Sequence, residues 1–435
     1  MPLTPRVVSQ GKRLHDGNDV RAYPVAGEPY KKNNPQDFKQ RLPDDESPPD
    51  ETLQALSQPL QRPSLAGADR AATRSAASAS TSEAGTAVGA VAELAPQPMQ
   101  VSDRFSVCIV GAGAIGCHIA YVLRRAGCDV TLIARGENLR ALRADGLRIT
   151  IGSEESIARI RVTDRPEEVG VVDYVFLTMK VPGWNSTVAN MIQPLIGAHT
   201  TLLPPTTSIP YWWFHGMKGP LEGRRLERAD PAGELWRAMP PEQVIGFTMW
   251  LSAVQTGPGC VTLRHVQRGY PLGELDGTKS RRVERLAAAF ERGGIPSPRV
   301  PCIRSEIFIK SLNSLAFNVV AVLGNASNGV IADVPEAVET LLSIMEECEV
   351  VADVLGLSIA QSAESRIQQT LSARMHTMSM LHDLRIGKPL ELSPLWTSFE
   401  DLATLLGVRL PLTKALVGVA LLREQSEAVS RQACS

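Results

Sequence analysis

The sequence lacks the features that mark several large classes of protein. Its 45 basic and 46 acidic residues leave a formal net charge of −1, so neither a nucleic acid nor an anionic membrane surface is expected as a partner. No uninterrupted apolar run approaches the roughly 20 residues that a membrane-spanning helix needs. These absences predict a protein that acts on neither membranes nor nucleic acids.

Metal-binding and secretion signals are also missing. The seven cysteines include no C-x-x-C pair and no Cys/His spacing typical of metal ligands, so no metal site is predicted. Several of them lie in apolar segments, where a thiol behaves as a small hydrophobic group. The N-terminus has no apolar signal-peptide core, and its acidic residues argue against a transit peptide. A reduced, cytoplasmic protein is therefore expected.

Composition divides the chain into three regions. Residues 1–103 are rich in Pro, Ser, Ala and mixed charge, with too few clustered apolar residues for a core, and are predicted to be a disordered tail. Residues 104–300 alternate strand-like and helix-like segments, which predicts an α/β domain of the Rossmann type. Residues 301–428 carry helical spacing without strand signals. The expected fold is an α/β N-terminal domain followed by an all-α C-terminal domain.

Periodicity also places individual elements. Antiparallel strands are predicted beside the main sheet over 244–252 and 259–265. Helices are predicted over 185–196, 281–292, 306–323, 335–355, 359–378 and 394–406.

The most informative feature is the segment 107–116, which reads Val-Cys-Ile-Val-Gly-Ala-Gly-Ala-Ile-Gly. A buried strand runs into glycines spaced G-x-G-x-x-G and then into a helix, as in dinucleotide-binding proteins. Gly111 permits the tight turn, Gly113 lets the backbone approach a pyrophosphate, and Gly116 lets the helix pack closely on its strand. The phosphate would then bind N–H groups at the helix N-terminus. The predicted cofactor-binding residues here are Gly111, Ala112, Gly113, Ala114, Ile115 and Gly116.

The end of the second strand bears on which dinucleotide is bound. A free ribose 2′-hydroxyl usually meets an acidic residue there, whereas a 2′-phosphate calls for an arginine. This chain has Arg135, whose guanidinium can hold a phosphate bidentately, and Arg140 and Arg143 would add positive potential. Glu137 is the competing acidic candidate, and Arg135 could also be a solvated loop residue. NADPH is favoured over NADH.

Several further motifs, in order, resemble one known family. Besides the glycine motif, these are Thr178-Met-Lys180, Ser208-Ile-Pro-Tyr-Trp-Trp-Phe-His-Gly216, Lys310 at the head of a helix containing Asn318, and Met378-Ser-Met-Leu-His-Asp383 followed by Gly387-Lys-Pro-Leu-Glu391. The chain from about residue 105 to about 422 resembles the ketopantoate reductases (2-dehydropantoate 2-reductases).

The resemblance implies NADPH-dependent reduction of the C2 ketone of 2-dehydropantoate to (R)-pantoate, on the route to pantothenate and coenzyme A. Ketone reduction needs a donor that stabilises negative charge developing on oxygen and then supplies a proton. Lys310 matches the family's residue for this role, and a cleft between domains would lower its pKa. Glu391 matches the glutamate near cofactor and substrate. Without the resemblance, Lys310 would be interpreted as a solvated helix lysine.

The other site residues are likewise carried over from the family. Lys180, Ser252, Glu391 and Thr207 match positions that contact the cofactor. Asn318, Asn328, Ser379, Ser314 and Thr207 match positions that contact the substrate. From the sequence alone, Asn318 would be a helix residue on a wet face, Asn328 a turn residue and Ser379 an ordinary helix serine.

Two departures from the family pattern leave alternatives open. Thr207-Ser208 stands where the family has Asn-Gly, and a threonine hydroxyl reaches less far than an amide and offers no pair of N–H donors. Ser314 stands where the family has Asn. These changes are compatible with a reductase of another branched 2-oxo acid, and a non-catalytic NADPH-binding relative is the third alternative. A small 2-oxo acid is the expected partner, and a homodimer is compatible with the sequence.

Overall fold

The structure is a computed structural model that describes residues 92–93, 104–180, 186–204 and 206–434. Nearly all of the predicted tail over 1–103 lies outside these residues. The exception is a two-residue strand, Ala92–Glu93, that pairs in parallel with residues 156–157.

Twelve strands occur in the described residues, all of them before residue 274. They are β1 (Ala92–Glu93), β2 (Ser106–Val110), β3 (Asp129–Ile133), β4 (Leu147–Ile151), β5 (Glu154–Ala158), β6 (Arg161–Thr163), β7 (Tyr174–Leu177), β8 (Thr201–Leu203), β9 (Gly246–Phe247), β10 (Trp250–Gly257), β11 (Cys260–Gly269) and β12 (Leu272–Gly273).

The described helices fall mostly in the C-terminal half. They are α1 (Ala114–Arg125), α2 (Gly136–Asp145), α3 (Ser186–Met191), α4 (Glu234–Ala238), α5 (Arg281–Arg292), α6 (Ile303–Gly324), α7 (Asn328–Ala332), α8 (Pro335–Val354), α9 (Ala363–Leu371), α10 (Ser379–Arg385), α11 (Leu392–Leu405) and α12 (Pro411–Cys434).

A five-stranded parallel sheet organises the N-terminal domain. Its order is β6-β3-β2-β7-β8, and the chain reverses its direction of winding between β2 and β7. Ligands of such sheets bind outside the carboxyl ends of the strands at this switch point. The glycine motif follows β2 directly, so the fold places it at the expected crevice. The predicted fold class is confirmed.

Both faces of this sheet are covered, which explains why its strands read as unbroken apolar runs. Val107 and Ile109 face a cluster that includes residues of α1 and α5. Cys108 and Val110 belong to a second cluster that continues into the helices after residue 303. One face of the five-stranded sheet therefore shares a core with the helical domain.

A second, mixed sheet of order β1-β5-β4-β11-β10 flanks the first. The predicted antiparallel pair is present, but it lies later in the chain than expected, because β10 and β11 pair over 250–257 and 260–269. Only the short β9 falls within the first half of 244–252.

Helix α6 is the centre of the helical domain and contacts α8, α10, α11 and α12. It is the one described helix that is long and apolar enough to span a membrane, but two thirds of its most apolar stretch is buried inside the protein. That burial identifies it as a core helix. Because α6 is packed mostly against other parts of the protein, its polar side chains can contact residues of the neighbouring elements.

Most predicted helices are observed with ends that differ by a few residues, and one is much shorter than predicted. The segment 359–378 forms a helix only over Ala363–Leu371. The rest is a loop whose backbone carbonyls are used elsewhere: Asn328 N–H donates to His376 O at 3.0 Å, and Gly329 N–H donates to Arg374 O at 2.8 Å. A continued helix would direct these carbonyls to its own N–H groups.

The aromatic run Tyr211-Trp-Trp-Phe214 is buried, with at most 4% of any side chain exposed, so it cannot serve as a stacking platform for nucleotides. Arg304, at the start of α6, donates hydrogen bonds to the backbone carbonyls of Trp213 at 2.6 Å, His215 and Leu275. Burial lowers the pKa of Arg304 to about 10. This arginine fastens the aromatic segment to the helical domain.

Candidate active site

The glycine motif has the geometry that the sequence predicts. Gly111 has φ +115°, a conformation that favours glycine. A Cβ atom on Gly116 would lie 1.9 Å from Gly111 O, so only glycine lets α1 approach the preceding turn this closely. Thr178, just after β7, donates its hydroxyl to Gly111 O at 2.9 Å. The loop is therefore held from the neighbouring strand.

The N-terminus of α1 is open toward the crevice. No atom lies within 4 Å of the position of a Cβ on Gly113, no side chain caps the helix, and its first turn contains no acidic residue. Ala114 and Ile115 are partly exposed, whereas Ala112 is buried. Free N–H groups and the helix dipole favour an anion here, so the cradle fits the pyrophosphate of a dinucleotide.

Arg135 immediately precedes α2, close to the carboxyl end of β3, and is exposed. Among the described residues, its guanidinium hydrogen-bonds only to a soft acceptor, Met191 Sδ, at 3.5 Å. The neighbouring arginines differ. Arg143 pairs with Asp164 at 3.7 Å and donates to a backbone carbonyl of β6, and Arg140 lies 4.0 Å from Glu137. Arg135 is thus the cation of this group best placed to meet a 2′-phosphate.

Asn138 on α2 connects the glycine loop to the second sheet, although nothing in the sequence singled it out. Its amide donates to Ala112 O at 3.3 Å, and its carbonyl oxygen accepts from Gln255 Nε2 at 2.7 Å and Gly259 N at 3.1 Å. Asn138 lies in the first turn of the helix that follows β3. Asparagine is unfavourable inside a helix, so its presence there could have indicated a tertiary contact.

Lys180 forms an ion pair with Asp383 of α10, which joins the two domains. Asp383 is nearly buried, whereas half of the Lys180 side chain is exposed. The sequence predicted that Lys180 contacts the cofactor. The structure shows its ammonium engaged with a carboxylate of the helical domain, so its direct role in this state is to hold α10 beside the glycine loop.

Lys310 is partly buried on α6, and burial lowers the pKa of its ammonium to about 8. Its Nζ lies 5.1 Å from the ring centroid of Trp250 on β10. The indole N–H donates to Glu306 Oε2 at 3.2 Å. Within the described part of the chain, Lys310 forms no ion pair. A lysine in this state is protonated at neutral pH yet is a stronger acid than a lysine in water.

Asn318 lies two turns after Lys310, but it does not lie on a wet helix face as the sequence alone indicates, because only 1% of it is exposed. Its Oδ1 accepts the backbone N–H of Met380 at 3.0 Å, and its Nδ2 donates to Ser314 O at 2.7 Å and to Ser314 Oγ at 3.3 Å. Asn318 therefore holds the first turn of α10, and Ser314 supports it. Both residues position Ser379 and Asp383.

Asn328 is fully buried and donates from Nδ2 to Thr370 O at 2.8 Å. Its Oδ1 is buried with no partner in the described residues. Ser379 is the exposed first residue of α10, and Ser252 is partly buried on β10, two residues after Trp250. Glu391 is partly buried just before α11. Asn328, Ser379 and Glu391 thus lie at the N-terminal ends of α7, α10 and α11.

The loop with the Asn-Gly departure is held between the two domains. Ile209 N–H donates to Ser398 Oγ of α11 at 3.2 Å, and Thr206 Oγ1 donates to Phe247 O. Thr207 Oγ1 is buried and has no hydrogen-bond partner among the described residues. A buried hydroxyl without a partner costs free energy.

A continuous set of contacts connects the cofactor crevice to the helix of Lys310. Thr178 contacts the glycine loop, Lys180 pairs with Asp383, and Asn318 ties α10 to α6. Lys310 lies eight residues before Asn318, about 12 Å along the helix. The sequence did not single out Trp250, Glu306 or Asp383 for these contacts, because each depends on elements distant in the chain.

Comparisons with known proteins agree with this geometry. The family model described as Ketopantoate reductase PanE/ApbA matches residues 107–205, and the model of its C terminal matches residues 303–424. A 2-dehydropantoate 2-reductase of Mesorhizobium japonicum is 35% identical over 317 residues, which cover 72% of this chain and 96% of that protein.

Solved structures give the same fold. The crystal structure of a protein assigned as a ketopantoate reductase from Ralstonia solanacearum is 33% identical, with a TM-score of 0.68 over 74% of this chain and 98% of the other. D-mandelate dehydrogenase with NADH and anilino(oxo)acetate is 20% identical, with a TM-score of 0.62 over 74% and 99%. The second likeness shows the fold alone.

Proposed function

Because the chain belongs to the ketopantoate reductase PanE/ApbA family, we propose that it uses NADPH to reduce 2-dehydropantoate to (R)-pantoate, in the biosynthesis of pantothenate and coenzyme A. The family consists of NAD(P)-dependent reductases of 2-oxo acids. The observation that carries the proposal is the state of Lys310, a partly buried ammonium with a pKa of about 8 that lies over an indole face.

Lys310 supplies the acid of the reaction. The reduced nicotinamide supplies the hydride to C2 when it is bound. Negative charge then develops on the C2 oxygen, where the Lys310 ammonium donates a hydrogen bond and transfers its proton. Its lowered pKa makes that transfer more favourable than from a solvated lysine. Ser379 and Asn328, at the start of helices packed on α6, are proposed to contact the substrate carboxylate and hydroxyl. Glu391 and Ser252 are proposed to border the reacting centre.

NADPH is the proposed cofactor. The open N-terminus of α1 supports binding of the pyrophosphate, and Arg135 at the end of β3 supports binding of the 2′-phosphate.

A second candidate is reduction of a different branched 2-oxo acid, which Thr207 favours. Its buried hydroxyl stands where the family has an amide, and it has no partner among the described residues. A substrate that offers a single hydrogen-bonding group at this point would satisfy it, whereas a substrate that needs two donors would not.

The decisive experiment follows NADPH absorbance with the purified protein and a panel of 2-oxo acids. If 2-dehydropantoate is the substrate, its kcat/KM exceeds that of every other acid in the panel. A higher value for another branched acid would assign the chain to the second candidate. NADPH binding without turnover of any acid would favour a non-catalytic relative.

Replacing Arg135 with Ala is expected to raise KM for NADPH about tenfold and to leave KM for NADH nearly unchanged. A hydrogen-bonded ion pair contributes about 1.5–3 kcal/mol, and we take the low end because Arg135 is exposed. Arg281→Ala is the control, since Arg281 is an exposed arginine at the start of α5, and it should leave both KM values unchanged. Equal losses for both cofactors would remove Arg135 from 2′-phosphate recognition.

A further inference from the structure

The Lys310 side chain and three others, Glu306, Trp250 and Arg268, form one corner of the structure. Lys310 and Glu306 come from adjacent turns of α6, Trp250 from β10 and Arg268 from β11. Arg268 forms a bidentate salt bridge with Glu306, in which the Nη2–Oε1 and Nη1–Oε2 distances are both 2.9 Å. Oε2 of the same carboxylate accepts the indole N–H of Trp250 at 3.2 Å.

These contacts form a series that ends at the ammonium. The planar guanidinium of Arg268 holds the Glu306 carboxylate in place. The carboxylate in turn orients the Trp250 indole, whose ring centroid lies 5.1 Å from Lys310 Nζ. In the described residues, the charged groups at this corner are Lys310, Glu306 and Arg268. The last two neutralise each other, so burial is left as the cause of the low pKa of Lys310.

An aromatic face suits a catalytic lysine better than a carboxylate would. An ion pair would occupy N–H donors and stabilise the charged form strongly, which would weaken the acid. A π face attracts the cation but accepts no conventional hydrogen bond from it. Among the residues that the structure describes, no hydrogen bond engages the ammonium, so its N–H groups can donate to a substrate oxygen.

We propose that Trp250 is a positioning residue for Lys310, and that the Glu306–Arg268 pair sets the orientation of its indole. The role rests on the proposed function, since it supposes that Lys310 is the acid. Trp250 limits the rotamers of a four-carbon side chain and places the ammonium where the substrate oxygen binds.

Trp250→Leu is expected to lower kcat about 3- to 30-fold, the range of a cation–π contact at a partly buried site, with little change in KM for NADPH. Reduction needs protonated Lys310, so the wild-type rate is constant below pH 8 and falls above it. In Trp250→Leu the charged form loses its π face but stays buried, so this fall shifts to lower pH by about 0.5–1.5 units. Trp250→Phe keeps an aromatic face and is expected to recover most of both losses.

Two further variants keep the test decisive. Arg268→Met, at an exposed position on β11, frees the Glu306 carboxylate and with it the indole, so it should lower kcat by a smaller factor than Trp250→Leu, even if that variant folds poorly. Because it also leaves the Glu306 charge without its partner, its fall in rate should move to higher pH. Trp236→Leu is the control for losing a partly buried indole elsewhere, and its rate and pH profile should match the wild type.

If Lys310→Ala is inactive while the Trp250 and Arg268 variants keep the wild-type rate and pH profile, the positioning role is wrong and the proposed function stands. An active Lys310→Ala would overturn both.

A different observation concerns α12, whose outer face carries an exposed apolar stripe. Its positions are 412, 415, 419, 422, 426 and 429, occupied by Leu412, Ala415, Val419, Leu422, Ser426 and Val429. The spacing alternates three and four residues, as in the seam of a coiled coil. The four large members are 38%, 54%, 64% and 65% exposed in chain order. The family match ends at residue 424, so part of the stripe lies beyond it.

The stripe is complementary to itself in antiparallel orientation. About a two-fold axis, Val419 of one chain meets Leu422 of the other, Leu412 meets Val429, and Ala415 meets Ser426. Large residues thus meet large ones, and the small pair lets the helices approach. The charged neighbours already have partners: Lys414 pairs with Glu400 at 2.8 Å, and Arg423 donates to Leu323 O at 2.7 Å.

We propose that α12 pairs with α12 of a second copy of this chain, antiparallel about a two-fold axis between Val419 and Leu422. Such an interface uses the same patch on both subunits. Light scattering after size exclusion, over a concentration series, should show a species of twice the 47.0 kDa chain mass. A wild-type protein that stays at the monomer mass at every concentration would overturn the proposal.

Charge pairs test the arrangement. Leu422→Glu and Val419→Lys should each abolish the dimer, because each places an unpaired charge in the seam. A mixture of the two variants should dimerise, since antiparallel packing sets the introduced carboxylate of one chain against the introduced ammonium of the other. Val350→Glu, which replaces a 40% exposed valine on α8, should leave the dimer intact. If the mixture stays monomeric while the wild type dimerises, the antiparallel register is wrong.

Discussion

Lys310→Ala is expected to lower kcat for the 2-oxo acid about 10²- to 10⁴-fold, the typical contribution of a positioned acid. The Kd for NADPH should change little, because the residues proposed to hold its phosphates lie at the start of α1 and at the end of β3. Lys310 instead sits on α6 beside Trp250. Stopped-flow reduction and fluorescence titration of NADPH measure the two quantities separately.

Lys310→Arg separates charge from proton transfer. Arginine keeps the cation over the indole face, but its pKa lies far above neutral pH and it is a poor acid. The variant should bind substrate, turn over slowly and lose the fall in rate above pH 8 that burial of Lys310 predicts. Near-normal turnover of Lys310→Ala would exclude this lysine as the acid and, with it, the proposed mechanism.

The cofactor half of the site could be predicted from the sequence because its determinants are local. Gly111, Gly113 and Gly116 lie within six residues, and each has a steric role that follows from strand–turn–helix geometry. The structure has the backbone geometry that these roles require, with a positive φ at Gly111, an open Cβ position at Gly113 and a backbone contact at Gly116 that only glycine permits. Most predicted helices are also present, because an amphipathic period is read within one segment.

The substrate half depends on residues far apart in the chain. Lys310 looks like a solvated helix lysine until the indole of Trp250, sixty residues earlier, is placed over it. Asn318 matches a substrate-contacting position in the family, yet both ends of its amide are engaged within the protein, with Met380 and Ser314. Lys180 likewise meets Asp383 across about two hundred residues. No local pattern encodes such pairs, so sequence reasoning names the residues but not their contacts.

The loop after α9 shows why a helix prediction failed. Residues 372–378 have helical spacing, but the backbone N–H groups of Asn328 and Gly329 in α7 donate hydrogen bonds to the carbonyls of His376 and Arg374. The Asn328 side chain also donates to the carbonyl of Thr370, at the end of α9. Gly329 packs so closely that a Cβ there would lie 3.0 Å from Arg374 O. The free energy of these tertiary contacts outweighs a local propensity of a few tenths of a kcal/mol per residue.

Gly116→Ala is expected to destabilise the protein by about 3 kcal/mol, a fall in Tm of roughly 6–12 °C. Alanine is the better helix former by about 1 kcal/mol, so propensity alone predicts a gain. The structure opposes it, because the new Cβ would lie 1.9 Å from Gly111 O and 2.5 Å from Thr178 Oγ1. Neither neighbour can yield easily, since the first is backbone and the second holds the loop. Differential scanning calorimetry measures the change.

Gly113→Ala makes the matched comparison, because it adds the same methyl group to the same motif where nothing lies within 4 Å. Its Tm should stay within about 4 °C of the wild type, since exchange of an N-cap glycine for alanine costs up to about 1 kcal/mol. The methyl group would instead occupy the space through which a pyrophosphate approaches the helix N-terminus, and the Kd for NADPH should rise at least tenfold. One glycine would then be required for packing and the other for the cofactor. If both variants lost stability equally, or if Gly113→Ala bound NADPH as the wild type does, the open face of α1 would not be the phosphate site.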